Sequence, residues 1–87
     1  MFTIVILSFH SDAHIKRLVS SINKKYPIII IENSLNIRIK KELEEKYDNV
    51  RVIIPSKNIG ISAGYNLGIN ESKTNFVKIT SADVNIS

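Results

Sequence analysis

Side chains that could bind a ligand follow each of the four apolar runs in the sequence. Ser8 and Phe9 follow the first run, and Glu32 follows four consecutive isoleucines. Asn58 comes after the third run and Asp83 after the fourth. A carboxylate can accept hydrogen bonds from a base or a ribose hydroxyl, and a second carboxylate can hold Mg²⁺ together with phosphate oxygens. With an aromatic ring to stack on a base, these residue types favour binding of a nucleoside diphosphate.

Each of these residues also has a purely structural interpretation. Glu32 could mark the point at which a buried strand leaves into water, and Phe9 could belong to the core. Asp83 taken alone is an ordinary loop aspartate, and only its position beyond the fourth run favours a metal-binding role. His10 and His14 lie four residues apart and could form a metal pair on a helix. Nothing else in the sequence supports a zinc site, so we interpret both residues as surface histidines.

The three glycines of the chain, Gly60, Gly64 and Gly68, are spaced by four residues. Residues four apart lie on one face of a helix, so this spacing predicts a helix with a groove along one side. Because glycine costs a helix about 1 kcal/mol relative to alanine, such a groove needs a reason. We expect the helix to open near Ser62, to end near Glu71, and to lie closely against a sheet or a ligand.

Strand and helix patterns alternate along the whole chain, which predicts a β-α-β-α-β-α-β order, a parallel four-stranded sheet and one domain over residues 1–87. The carboxyl ends of the strands should then meet at one edge, where such sheets bind ligands. The residues expected at this edge are Asn58 and the segments 8–10, 32–34 and 81–83. The predicted elements are strand 2–7, a helix capped by Ser11 or Asp12 and ending near Asn23, strand 27–31, helix 36–47, strand 50–54, the glycine-spaced helix, and strand 76–80.

Several common classes of protein are excluded or disfavoured. The turn at 8–12 has no glycine, which argues against a dinucleotide-binding enzyme, and no Walker A loop is present. Without cysteine there is neither a disulfide nor a thiolate metal site. The net charge is +4, but basic and acidic residues are mixed, which favours solvated helix faces over a nucleic-acid patch. No apolar run approaches the ~20 residues of a membrane span.

Four segments resemble family 2 glycosyltransferases. Segment 58–69 is similar to the family's Asn-Leu-Gly-Phe-Gly-Ala-Gly-Asn-Asn-Leu-Gly-Ile and is the most specific of the four. Segment 4–11 resembles the opening strand and its Thr-Tyr-Asn turn, and segment 30–34 resembles Val-Val-Asp-Asn-Ser. Segment 76–86 resembles the strand ending in Asn-Pro-Asp-Val of rhamnosyltransferase-like members, a variant of the Asp-x-Asp metal motif.

The resemblance implies the A-type glycosyltransferase fold, a Rossmann-like αβα sandwich that binds a nucleotide-diphosphate sugar, UDP-, dTDP- or GDP-linked. It places Phe9 on the base and Glu32 at the base or ribose. Asp83 matches the second aspartate of the metal motif, where Mg²⁺ or Mn²⁺ would neutralise the leaving diphosphate, and Ser81 stands at the first. The residues expected to bind the nucleotide are Ser8, Phe9, Glu32, Asn58, Gly60 and Gly64.

The resemblance covers only the donor-binding half of the family. Its members continue into an acceptor-binding half that supplies the catalytic base, so we expect a truncated glycosyltransferase domain without a catalytic residue of its own. We expect these 87 residues to transfer no sugar alone. In the parent enzyme the sugar would pass to an acceptor hydroxyl, with inversion, in bacterial surface polysaccharide synthesis.

The alternative is a non-catalytic α/β module that associates through an exposed sheet edge. The fourth strand would lie at such an edge, where a homodimer could form. We expect a cytoplasmic protein, at the inner face of the membrane if it is part of a longer chain. No nucleic-acid partner is expected.

Overall fold

The computed structural model describes residues 2–74 and 76–81, so Asp83 lies outside the described residues. Strands and helices alternate as predicted. The strands are rich in isoleucine and valine, whose β-branched side chains favour extended backbone. The seven elements are β1 (Phe2–Ser8), α1 (Asp12–Ser21), β2 (Ile28–Glu32), α2 (Ile37–Lys46), β3 (Val50–Ile53), α3 (Gly60–Glu71) and β4 (Phe76–Ser81).

The four strands form one parallel sheet in the order β3-β2-β1-β4. β1 and β2 lie in the centre and are buried on both faces, which explains why their sequences are continuous apolar runs. β3 lies at an edge and alternates buried and exposed residues over Val50–Val52. The predicted α/β class and the parallel four-stranded sheet are confirmed, and the architecture is compatible with a Rossmann-like αβα fold.

One face of the sheet is covered by α1 and α2. Successive strand residues point to opposite faces, so each central strand contributes to two cores. On this face large branched side chains fill the space between helices and sheet. The buried members of this core are Ile4, Ile6, Ile15, Val19, Ile28, Ile30, Ile39, Leu43, Tyr47, Val50 and Val52.

The opposite face is covered by α3, of which Gly64 and Gly68 lie on the sheet. A Cβ added at Gly64 would come within 2.5 Å of Leu7 Cδ1, and one at Gly68 would lie even closer to Val5 Cγ1. At Gly68 a side chain would clash with the branched Val5, and at Gly64 the flexible end of Leu7 would have to move, so the close approach of the helix favours glycine at both positions. The predicted contact of a glycine groove with the sheet is confirmed, although α3 begins two residues before Ser62.

The two edges of the sheet differ. On β3, the Val52 N–H donates to Glu44 Oε2 at 2.8 Å, and the Val52 carbonyl accepts from Lys40 Nζ at 2.6 Å. Both partners belong to α2, which thereby blocks this edge. On β4, the side chains of Phe76 and Ile79 are 72% and 44% exposed. The prediction that the fourth strand is an edge strand is confirmed.

The ends of α1 differ from the sequence-based expectation. Ser11 occupies the N-cap position, but its hydroxyl donates to the Phe9 carbonyl at 2.9 Å and does not cap a helix N–H. The helix ends at Ser21, because Ile22 is already extended. Across residues 2–74 and 76–81, no helix combines the length and the apolar character that crossing a membrane requires.

Candidate functional site

The carboxyl ends of β1, β2 and β4 form one rim of the sheet. Ser8 is in register with Glu32, and Leu7 is in register with Ser81. From β1 the chain proceeds outward to β2 and β3 through helices on one face, and it returns to the other side of β1 through α3 on the opposite face. Parallel sheets bind ligands at such a switch point. By this rule, the position at which a ligand is expected is the carboxyl end of β1, called the crevice below.

Glu32 is fully buried at this rim, which rules out the interpretation that it marks an exit into water. Its Oε2 atom accepts hydrogen bonds from the Ser34 hydroxyl and, at 3.0 Å, from the Asn36 backbone N–H. Its Oε1 atom is also inaccessible and accepts no hydrogen bond from the described residues. Because a buried polar atom without a partner is costly, Oε1 is an acceptor that a ligand or a water molecule would satisfy.

Glu32 also organises the start of α2, a role that the sequence pattern did not predict. It holds Asn36, the N-cap residue of that helix, whose Oδ1 atom accepts from the Arg38 N–H at 3.1 Å. The Asn36 Nδ2 atom donates to Asp12 Oδ2 at 2.7 Å. The end of β2 and the first residues of both helices on this face are thus joined at the rim.

Asn33 fixes the opposite side of the rim. Its side chain points to the α3 face, because neighbouring strand residues point in opposite directions. Its Oδ1 atom accepts from the Ile59 N–H at 3.4 Å, and its Nδ2 atom donates to the Gly60 carbonyl at 3.3 Å. It is only 4% exposed. The sequence placed Asn33 at the rim without a role, and its amide directly after a buried strand was the one available signal.

Phe9 lies just beyond β1 and is 48% exposed, so it is not a core residue. Its ring meets the ring of His10 edge to face, with 4.3 Å between the centroids. His10 has a left-handed φ of 51° and precedes α1. His10 and His14 therefore do not occupy one helix face, which removes the geometry on which a histidine metal pair depended.

Asn58 and Gly60 form the turn that leads into α3. The Asn58 Oδ1 atom accepts from the Gly60 N–H at 2.9 Å, and Gly60 has a φ of +80°, which favours glycine. A Cβ at Gly60 would meet no atom within 4 Å, so this side of the turn is open. Gly64, in contrast, faces Leu7 and Ile31 inside the molecule. Its predicted part in nucleotide binding stays a prediction, and its contacts are those of a packing residue.

The predicted site residues are thus brought together unequally. Ser8 and Glu32 are neighbours in adjacent strands, and Asn33 ties the Asn58–Gly60 turn to the same rim. Ser8 is buried, with 2% of its surface exposed. Asp83 falls outside the described residues. Within residues 2–74 and 76–81, no three histidine or acidic side chains are grouped to hold a metal ion.

The chain matches no model of a known protein family and no curated protein. The likeness to family 2 glycosyltransferases consequently stands on the residues quoted above, and it stays a prediction. The structure shows the fold class, and it brings Ser8, Glu32 and the Asn58–Gly60 turn together at one rim.

Proposed function

We propose that this chain binds a nucleotide-diphosphate sugar at the carboxyl rim of its sheet and serves as the donor-binding part of a family 2-like glycosyltransferase. The reaction to which it would contribute is the transfer of a sugar to an acceptor hydroxyl in polysaccharide synthesis. In this proposal the chain's own residues bind and orient the donor. No described residue is assigned the role of the base that deprotonates the acceptor.

The observation that supports this proposal best is the buried Glu32 carboxylate at the switch point of the sheet. Its Oε2 atom is held by Ser34 and Asn36, which fixes the direction of Oε1. The Oε1 atom has no donor among the described residues. When the groups that cover Oε1 move aside, an N–H of a base or a ribose hydroxyl would supply the missing donor. Replacing the carboxylate would remove this hydrogen bond.

Phe9 and the turn before α3 support the same proposal from either side of the crevice. The half-exposed Phe9 ring could stack on a base, since stacking needs an accessible face. The open side of Gly60 would let a ligand approach the backbone closely. As part of this proposal, Asp83 and the diphosphate oxygens would hold Mg²⁺ or Mn²⁺, because such ions accept one or two carboxylates plus phosphate oxygens.

Calorimetric titration of the chain with UDP, dTDP and GDP, with Mg²⁺ or Mn²⁺ present, tests the proposal. At least one nucleotide should bind, and Phe9→Ala should weaken it roughly tenfold, since stacking on a base is worth about 1–3 kcal/mol. Ile69→Ala is the matched control, because Ile69 is 39% exposed and lies near the carboxyl-terminal end of α3, at the opposite end of that helix from the Asn58–Gly60 turn. Failure of all three nucleotides to bind a folded chain would refute the proposal.

Two charge-removing variants separate the base and metal parts of the site. Glu32→Gln keeps the shape of the side chain and should abolish detectable binding, provided that circular dichroism shows a folded protein. Asp83→Asn should weaken binding with Mg²⁺ and have little effect with EDTA. Equal affinity in the presence and absence of a divalent ion would contradict the metal part alone.

A second candidate function is self-association of a non-catalytic α/β module through β4. It is favoured by the contrast between the two edges: α2 blocks Val52 on β3, whereas Phe76 and Ile79 on β4 are exposed. Sedimentation analysis should then give a dimer that Ile79→Lys dissociates. A stable dimer without nucleotide binding supports this candidate, and a monomer that binds a nucleotide supports the first.

A further inference from the structure

A second region of the molecule has the character of a binding site and lies away from the rim. α1 and α2 enclose a groove beside their carboxyl-terminal halves, where two adjoining cavities of about 370 and 420 Å³ share Lys46 and Tyr47. Basic side chains outnumber acidic ones in its lining. The charged residues of the groove are Lys16, Arg17, Lys24 and Lys46, with Glu42 and Asp48.

Only part of this positive charge is neutralised within the protein. Lys16 Nζ lies 2.7 Å from Glu42 Oε2, and this hydrogen bond raises the pKa of Lys16 and lowers the pKa of Glu42. Glu42 is therefore already committed to Lys16. Arg17, Lys24 and Lys46 form no ion pair with any residue of 2–74 or 76–81.

Two of these cations converge on one aromatic ring. The Nζ atoms of Lys24 and Lys46 lie 6.0 and 5.5 Å from the centroid of the Tyr47 ring. The face of an aromatic ring attracts an ammonium group, so the Tyr47 ring favours the presence of both lysines at this part of the groove. Asp48 lines the same cavity without pairing with either within the described part of the chain. An anion bound in this part of the groove would have both ammonium groups nearby.

We propose that this groove, defined by Arg17, Lys24, Lys46 and Tyr47, binds the phosphate groups of a polyanionic ligand. A phosphate carries several charges and acceptor oxygens, so it can engage an arginine and two lysines together. The Tyr47 ring is only 9% exposed and is not free to stack on bases, which favours a phosphate ligand over nucleic acid.

This second site is independent of the one at the rim. Asp12 and Asn36 mark the amino-terminal ends of α1 and α2 at the rim, whereas the groove lies beside the opposite ends of these helices. Lys46 is in the last turn of α2, so it also complements the helix dipole there. Its removal is expected to lower stability slightly, and binding must therefore be compared among variants shown to be folded.

The experiment uses inorganic tripolyphosphate and vesicles as probes. Binding of tripolyphosphate, followed by nuclear magnetic resonance at low salt, should shift the amide signals of Lys24, Lys46 and Tyr47. The double variant Lys24→Gln/Lys46→Gln should weaken it about tenfold, because each lost cation removes a direct charge contact. Lys41→Gln/Lys78→Gln loses the same charge at exposed lysines outside the groove and should change the affinity less than about threefold.

Two further comparisons show whether the phosphate belongs to a soluble ligand or to a lipid headgroup, and whether it binds in the groove or at the rim. Vesicles of phosphatidylcholine with and without phosphatidylglycerol report whether lipid headgroups are bound. Tripolyphosphate binding alone indicates a soluble ligand, and binding of both probes indicates that the groove also accepts headgroups. The proposal is overturned if neither probe binds, if the Lys24→Gln/Lys46→Gln variant binds as the wild type does, or if Glu32→Gln rather than the groove variant abolishes binding.

Discussion

The two faces of the sheet are covered by opposite means. On one face, branched side chains such as Ile15 and Leu43 fill the space between helices and sheet. On the other, Gly64 and Gly68 let the backbone of α3 lie directly on Leu7 and Val5. The first face is stabilised by apolar volume and the second by close approach. Mutations should therefore act in opposite senses: removing atoms damages the first face, and adding them damages the second.

The largest effect is expected from Leu43→Ala on the side-chain-filled face. Leu43 is 2% exposed, and removing a buried leucine side chain costs about 2–5 kcal/mol of unfolding free energy. This is a large fraction of the stability of so small a domain. Urea denaturation measures the loss, with the exposed Ile37→Ala as control. A cost below about 1 kcal/mol would mean that α2 is not packed on the sheet as described.

A smaller loss is expected from Gly68→Ala on the glycine face. The added Cβ meets the β-branched, fully buried Val5, which cannot rotate away. We expect a net cost of about 1–3 kcal/mol despite the better helix propensity of alanine. Gly64→Ala is the matched comparison, because it meets the flexible end of Leu7 and should cost clearly less. If Gly68→Ala instead raises the urea midpoint, α3 lies farther from the sheet.

Asn33→Ala tests how the glycine face is joined to the rim. The change removes two long hydrogen bonds to the turn before α3 and should cost about 1 kcal/mol. Hydrogen exchange of the Ile59 amide should accelerate by more than that of amides in the middle of α3. Asn70→Ala, at an exposed position of the same helix, serves as control. Unchanged exchange at Ile59 would show that Asn33 does not hold the turn.

The smallest effect on stability is expected from Glu44, the α2 residue that accepts the Val52 N–H at the β3 edge. Burial alone would raise the pKa of Glu44, but the Val52 N–H and the Lys40 ammonium together hold this pKa below its ordinary value. A carboxylate whose pKa is lowered by folding stabilises the protein at neutral pH, and the contribution is lost as the pH falls through the folded-state pKa. Urea midpoints should therefore fall less on acidification from neutral pH in Glu44→Gln than in the wild type. Equal losses would exclude this role.

The pattern of residues was sufficient to predict the order of the elements and the parallel sheet. Short β-branched runs such as 28–31 are typical of buried strands, and amphipathic periodicity indicates the first two helices. The glycine spacing predicted the contact of α3 with the sheet, because four-residue spacing fixes one helix face. The ends of the elements were harder to predict. The Ser11 hydroxyl could either cap α1 or donate to the Phe9 carbonyl, and the local backbone conformation favours the carbonyl.

The sequence by itself determined which residues can reach the carboxyl rim, because strand ends follow from the apolar runs. Only the tertiary structure decided how Glu32 and Asn33 divide their roles, since burial and partners depend on segments distant along the chain. Likewise, Lys24 and Lys46 are exposed as the mixed charges predicted, but only the folded chain brings both of them near the Tyr47 ring. Residue types and their local spacing are properties of the sequence, whereas the burial and the partners of a charged side chain depend on segments that only folding brings together.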